Sequence, residues 1–239
     1  MLMKRPVVDY RKFRLSRLNT DEFRHLKLLL YWPVFGALFL YAERFIRVAY
    51  YHPMHCTLDN YVPFCEWFVF PYLFWFVFLV GMHAYTLLYD IPAFKRMMLF
   101  IIFTYSTALL IYFLYPNCQY MRPMSFERDN ILTRFMTAFY AFDTNTNVCP
   151  SLHVIGSLAV YFASRDIKRF CTPLWHFGFL VSTVLISIST IFLKQHSILD
   201  LVAAVLVCSV AYVLVYRAPE RYAVSARMGR KGPEKSPEL

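Results

Sequence analysis

The chain has 239 residues, of which 59% are hydrophobic and 17% charged, with 24 Phe and 18 Tyr. That balance excludes a water-soluble domain and points to an integral membrane protein. The formal charge of +10 sits in stretches that flank apolar runs, which suits anionic lipid head groups and argues against a nucleic-acid module or partner.

Residues 1–24 carry dispersed charge and no small-residue cleavage site ahead of the first apolar run, so they are expected as a retained, solvated cytoplasmic segment. Uncharged runs follow at 28–42, 67–89, 97–121, 144–164, 172–193 and 201–216. A helix needs about 20 apolar residues to cross the hydrocarbon. The expected fold is therefore all-α, with six transmembrane helices in one catalytic domain over residues 25–216. The first and last runs are short: Arg44 and Arg47 have to snorkel outward, and Asp200 has to lie at or just inside an interface. Residues 217–239, with Pro219, Gly229, Gly232, Pro233 and Pro237 among basic residues, read as a disordered cytoplasmic tail.

Most Lys and Arg fall on one side of this six-span arrangement: the N-terminal segment, Lys95 and Arg96, Arg165, Lys168 and Arg169, and the tail. The positive-inside rule then places both termini in the cytoplasm. His153 and His196 face outward or lumenally, and the expected location is the cell (plasma) membrane. Of the six cysteines, Cys56, Cys65, Cys118 and Cys149 lie on or near the outer side. A Cys118–Cys149 bridge and a set of free, packed thiols are both open. His52, His55 and Cys56 lack a further ligand at zinc-like spacing, so no metal and no cofactor is expected.

The outer loop between the third and fourth runs carries Arg122-Pro123 and then a stretch from Phe126 to Met136 whose mixed charged and apolar spacing suits a short helix on the interface. A polar turn, Asp143 to Cys149, ends at Pro150-Ser151-Leu152-His153. Pro150 and Ser151 are helix-start residues, and a helix N-terminus offers unpaired N–H groups and a positive dipole end to an anion such as phosphate. His196 and Asp200, four residues apart, share one helical face, so the carboxylate can accept the imidazole Nδ1–H and leave Nε2 as a nucleophile. Ser189, two helical turns before His196 if the helix continues, together with Lys194 and Arg122 can neutralise phosphoryl oxygens. Taken alone, either histidine is equally satisfied by a carbonyl across helices. The pair, in register with Ser151, Asp200 and Arg122, is a catalytic constellation.

These segments resemble the type 2 phosphatidic acid phosphatase superfamily, which includes membrane lipid phosphatases and the related sphingomyelin and inositol phosphorylceramide synthases. The resemblance covers roughly residues 97–216 and rests on three segments. Pro150-Ser151-Leu152-His153 matches the second family signature intact. Ser189-Thr190, His196 and Asp200 match the third, with Thr190 where many members have Arg. Arg122-Pro123 matches the first, with Tyr115 where the Lys stands. The resemblance implies that His196 attacks phosphorus, Asp200 orients it and His153 protonates the leaving alcohol, with no obligatory metal. Three outcomes stay open at this point: hydrolysis of a membrane lipid phosphate or diphosphate, transfer of a phospho-head group to a lipid alcohol, and a non-catalytic relic of the fold.

Overall fold

The computed structural model describes residues 6–218. Seven α-helices form the body: α1 (Tyr31–Arg44), α2 (Val69–Tyr89), α3 (Ile91–Leu114), α4 (Ile131–Phe142), α5 (Leu152–Asp166), α6 (Pro173–Phe192) and α7 (Ile198–Tyr212). Among the described residues five helices are long and apolar enough to cross a membrane: 3₁₀ turn plus α1 from Arg24 to Arg44, a turn plus α2 from Glu66 to Tyr89, α3, α6, and α7 with its π-helical extension to Arg217. Their outer surfaces expose Phe70, Val77, Val80, Leu206 and Val210, the pattern of side chains that face lipid.

Helix α5 stands at the centre, packed against α2, α3, α6 and α7. Its small residues Gly156, Ser157, Ala159, Ala163 and Ser164 are buried, which lets neighbouring backbones approach closely. A Cβ on Gly156 would meet Trp75 Nε1 at 2.8 Å and Tyr105 Oη at 2.9 Å, so only glycine fits there. Phe100, Ile101, Tyr105, Ile155, Val160 and Ile186 form the middle of the core.

Helix starts follow the local chemistry of the chain. Asp90 caps α3 by accepting from Ala93 N at 3.1 Å, with Pro92 in the first turn, so α3 begins before Lys95 and Arg96, ahead of the apolar run that announced it. The basic end is held by Arg96, paired with Asp166 at 3.1 Å. Asn130 caps α4 through a box with Thr133, which shifts the outer helix from the expected 126–136 to Ile131–Phe142. The fourth apolar run, 144–164, is helical only from Leu152, because 144–151 are tied into a turn: Asn147 adopts φ 51°, and Asn117 Oδ1 accepts from Val148 N and Cys149 N, each at 2.8 Å. At 15 residues, α5 spans about 22 Å, short of the roughly 30 Å hydrocarbon thickness.

Three segments close over the helix ends at one end of the bundle. His52–Pro53 (β1) pairs in parallel with Asn117–Cys118 (β2), and Cys118 bridges to Thr146. Arg44, exposed at the end of α1, donates from Nη2 to the Phe142 carbonyl at 3.2 Å. The staple between Cys118 and Cys149 that a disulfide would provide is made by Asn117, and the six cysteines are free thiols. At the opposite end, the N-terminal segment, expected as a solvated end, packs on the α2–α3 turn. Val7 N donates to Leu88 O, Tyr10 Oη donates to Leu87 O, and Phe23 is fully buried. The expected tail falls almost entirely outside the described residues.

Candidate active site

The turn between α6 and α7 delivers His196. Helix α6 ends at Phe192, and Lys194 adopts φ 53° with its N–H on Ile191 O, reversing the chain within a few residues. Gln195 N and His196 N then both donate to Thr190 O. His196 Nδ1 lies 3.1 Å from Asp200 Oδ2, which also accepts from Ser197 N at 3.0 Å. In a neutral imidazole that donates Nδ1–H to Asp200, Nε2 is left with its lone pair. Asp200 is fully buried, whereas His196 retains 8% exposure. The i, i+4 geometry read from the sequence is present as a hydrogen bond.

The first turn of α5 delivers His153. Its ring lies between Tyr72, at 4.3 Å between centroids, and Trp75, at 4.5 Å. His153 Nε2 is buried and finds no hydrogen-bond partner among the described residues. The His153 and His196 ring centroids are 6.1 Å apart, and both line a cavity of about 190 Å³ together with Tyr72, Trp75, Asp143 and Gln195. The two halves are joined directly, since Ser151 N donates to Asp200 O at 3.2 Å.

Ser151 occupies the N-cap of α5 and is fully buried, yet its hydroxyl caps no N–H and has no partner among the described residues. Arg122 lies behind the cavity wall: its guanidinium donates to the Asp143 carboxylate and carbonyl, to the Tyr140 and Thr144 carbonyls and, at 2.5 Å, to Gln195 Oε1. Burial lowers the guanidinium pKa, and burial pushes the Asp143 carboxyl up against the pull of Arg122.

Two expected phosphate ligands stand elsewhere. Ser189 is buried in α6 and donates to Ile186 O, because the helix ends before its register reaches His196. Lys194 Nζ turns away to the Asp59 and Val62 carbonyls and lines a different, outer depression. Tyr115 stacks on His52 at 4.0 Å, and the Thr190 hydroxyl donates to Ser187 O, so neither of these positions supplies a charge to the cavity.

Several residues that shape the site carry no motif. Asp59, from the loop between α1 and α2, accepts from Ser197 Oγ at 2.6 Å, Ile198 N at 2.9 Å and Cys56 N at 2.8 Å. Burial pushes its carboxyl up, but these hydrogen bonds outweigh that and hold it below the usual carboxylate range. Glu43, at the end of α1, accepts from Thr144 Oγ1, Thr146 Oγ1 and Asn147 Nδ2, fixing the turn that forms one cavity wall. The only available signal for either was a carboxylate at the edge of an apolar run. Among the described residues no group of three or more His, Cys, Asp or Glu side chains is arranged to hold a metal ion.

Comparison of the chain with protein-family models, curated proteins and solved structures yields no match.

Proposed function

We propose that the chain is a membrane enzyme that cleaves a phosphoryl-containing lipid through a phosphohistidine, a relative of the type 2 phosphatidic acid phosphatase superfamily. In this reading α5 is a sixth, shortened span, both termini are cytoplasmic, and the cavity opens to the outer or lumenal face. The observation that carries it is the juxtaposition across one cavity of a histidine from the first turn of α5 and one from the α6–α7 turn, the latter held by a buried carboxylate and the former with its Nε2 unpartnered among the described residues.

His196 Nε2 attacks phosphorus while the P–O bond to the leaving alcohol breaks. His153 delivers a proton from Nε2 to that oxygen, and Asp200 balances the charge on the substituted imidazole. His153, now neutral, takes a proton from the acceptor, which attacks the phosphohistidine and frees His196. Water as acceptor makes the enzyme a lipid phosphatase. A lipid alcohol as acceptor makes it a head-group transferase, a second reading favoured by the outward turn of Lys194 and the uncharged Tyr115 and Thr190.

The test is turnover by the full chain purified in detergent with EDTA, reading inorganic phosphate and, with a lipid alcohol present, the exchanged head group, beside His196→Ala. Turnover lost in the variant and an acid-labile phosphoenzyme in the wild type are expected. Absence of both products from wild type, with no binding of vanadate, would falsify the reading and leave the fold a relic.

A further inference from the structure

Gln195 is almost fully buried, lines the catalytic cavity and precedes the nucleophile. Its Oε1 accepts from Arg122 Nη2. A guanidinium only donates, so this contact fixes the amide with oxygen toward Arg122 and the NH₂ group on the other side. That Nε2 is buried without a partner among the described residues. A buried donor with two unused N–H bonds beside a nucleophilic histidine is a place for an acceptor oxygen of the substrate.

The charges around the cavity indicate which oxygen. Among the described residues, the charged side chains that line it or bond to its lining are Asp143, Asp200, Glu43 and Arg122, three carboxylates and one cation. The single guanidinium is already engaged by Asp143 at 3.3 Å. A dianion entering such a site meets net negative charge in a low-dielectric setting even while His153 carries the proton it will deliver, since three carboxylates then outnumber two cations. A neutral amide donor stabilises an oxygen carrying one shared charge and adds none of its own.

We propose, building on the function above, that Gln195 is a catalytic residue that donates its amide N–H to a non-bridging phosphoryl oxygen, held in that orientation by Arg122, and that this carboxylate-rich site selects a monoanionic lipid phosphodiester over a dianionic phosphomonoester. Attack by His196 on the diester breaks the P–O bond to one alcohol, which leaves with the proton from His153. The other alcohol stays on phosphorus through the phosphohistidine and departs with it as a new monoester or diester, according to whether water or a lipid alcohol accepts.

The experiment compares diacylglycerol phosphodiesters with choline, ethanolamine, glycerol and inositol head groups against phosphatidate of the same acyl chains, for wild type, Gln195→Met, Gln195→Lys and His196→Ala. The expected wild type favours at least one diester over phosphatidate by tenfold or more in kcat/KM. Gln195→Met, close in shape but without donors, loses about 10²-fold in kcat with KM and thermal midpoint nearly unchanged, the effect of removing one preorganised donor. Gln195→Lys shifts the ratio toward phosphatidate. A wild type that turns over phosphatidate best, or a Gln195→Met variant that keeps kcat, overturns the inference while leaving the histidine chemistry standing. Turnover that survives His196→Ala overturns both.

Discussion

Ser151 and Ser197 each open a helix beside the cavity, and they are treated in opposite ways. Every donor at the start of α7 is occupied: Ser197 N by Asp200, Ile198 N by Asp59, Leu199 N by Ser197 Oγ, whose own proton goes to Asp59. The start of α5 has Ser151 N on Asp200 O and a hydroxyl that meets nothing among the described residues. In the proposed reaction the closed start holds the nucleophile in one orientation. The open start leaves the Ser151 hydroxyl for a ligand, at a cost of about 1–3 kcal/mol for a buried group left unpaired. On that proposal, one end of the bundle separates positioning from binding.

Removing the group that the closed start positions has the largest expected effect. His196→Ala lowers turnover by about 10⁴-fold or more, since loss of a covalent nucleophile leaves only binding and electrostatic help. A variant within tenfold of wild type in steady-state turnover of the preferred lipid would move the chemistry off the α6–α7 turn. Next comes the clamp itself. Asp59→Ala leaves Ser197 Oγ, Ile198 N and Cys56 N without their acceptor, and destabilises the protein by about 2–3 kcal/mol, read as a lower thermal midpoint in detergent. Because the folded Asp59 carboxyl is held below its ordinary range by these hydrogen bonds, its contribution is complete above the unfolded carboxylate pKa of about 4 and is lost as pH falls through the folded value. The gap in midpoint between wild type and Asp59→Asn therefore narrows below about pH 4. A gap constant down to acid pH would show that the carboxylate charge is not what holds α7.

That His153, His196 and Asp200 come together was legible in the sequence because ionisable groups beside apolar runs are costly and stand out, whereas Arg122, read as a phosphate ligand, lies behind the cavity wall with its guanidinium on protein oxygens. Asp59 and Glu43 were not, because what they do depends on tertiary contact: Asp59 meets Ser197 across 138 residues, and nothing local to either marks the pairing. Ser189 was set toward His196 on the condition that α6 runs on, and the left-handed turn at Lys194 breaks that register. Lys194 stands at the bend where the sequence puts it, but its Nζ goes to the Asp59 and Val62 carbonyls. That same break is what brings Gln195, unremarkable in the sequence, to the cavity wall. The shortness of the central helix α5 was hidden as well, since apolar composition alone does not tell the Asn117-tethered turn before Leu152 from helix.

The smallest effects come from exchanging the two serines for alanine, and their signs sharpen the contrast most. Ser197→Ala removes a cap that both donates and accepts, and costs about 1 kcal/mol of stability. Ser151→Ala removes a buried hydroxyl that forms no bond in the protein, so its midpoint stays level or rises slightly. If the open start exists for a ligand, the stability-neutral variant is nevertheless the one that weakens vanadate binding, by about tenfold for one lost hydrogen bond to an anion. The destabilising Ser197→Ala should bind vanadate normally once folded. Equal vanadate affinities for the two variants would mean that the hydroxyl of Ser151 does not touch the anion, and that the open start serves only to let Pro150 and Ser151 pass beneath α7.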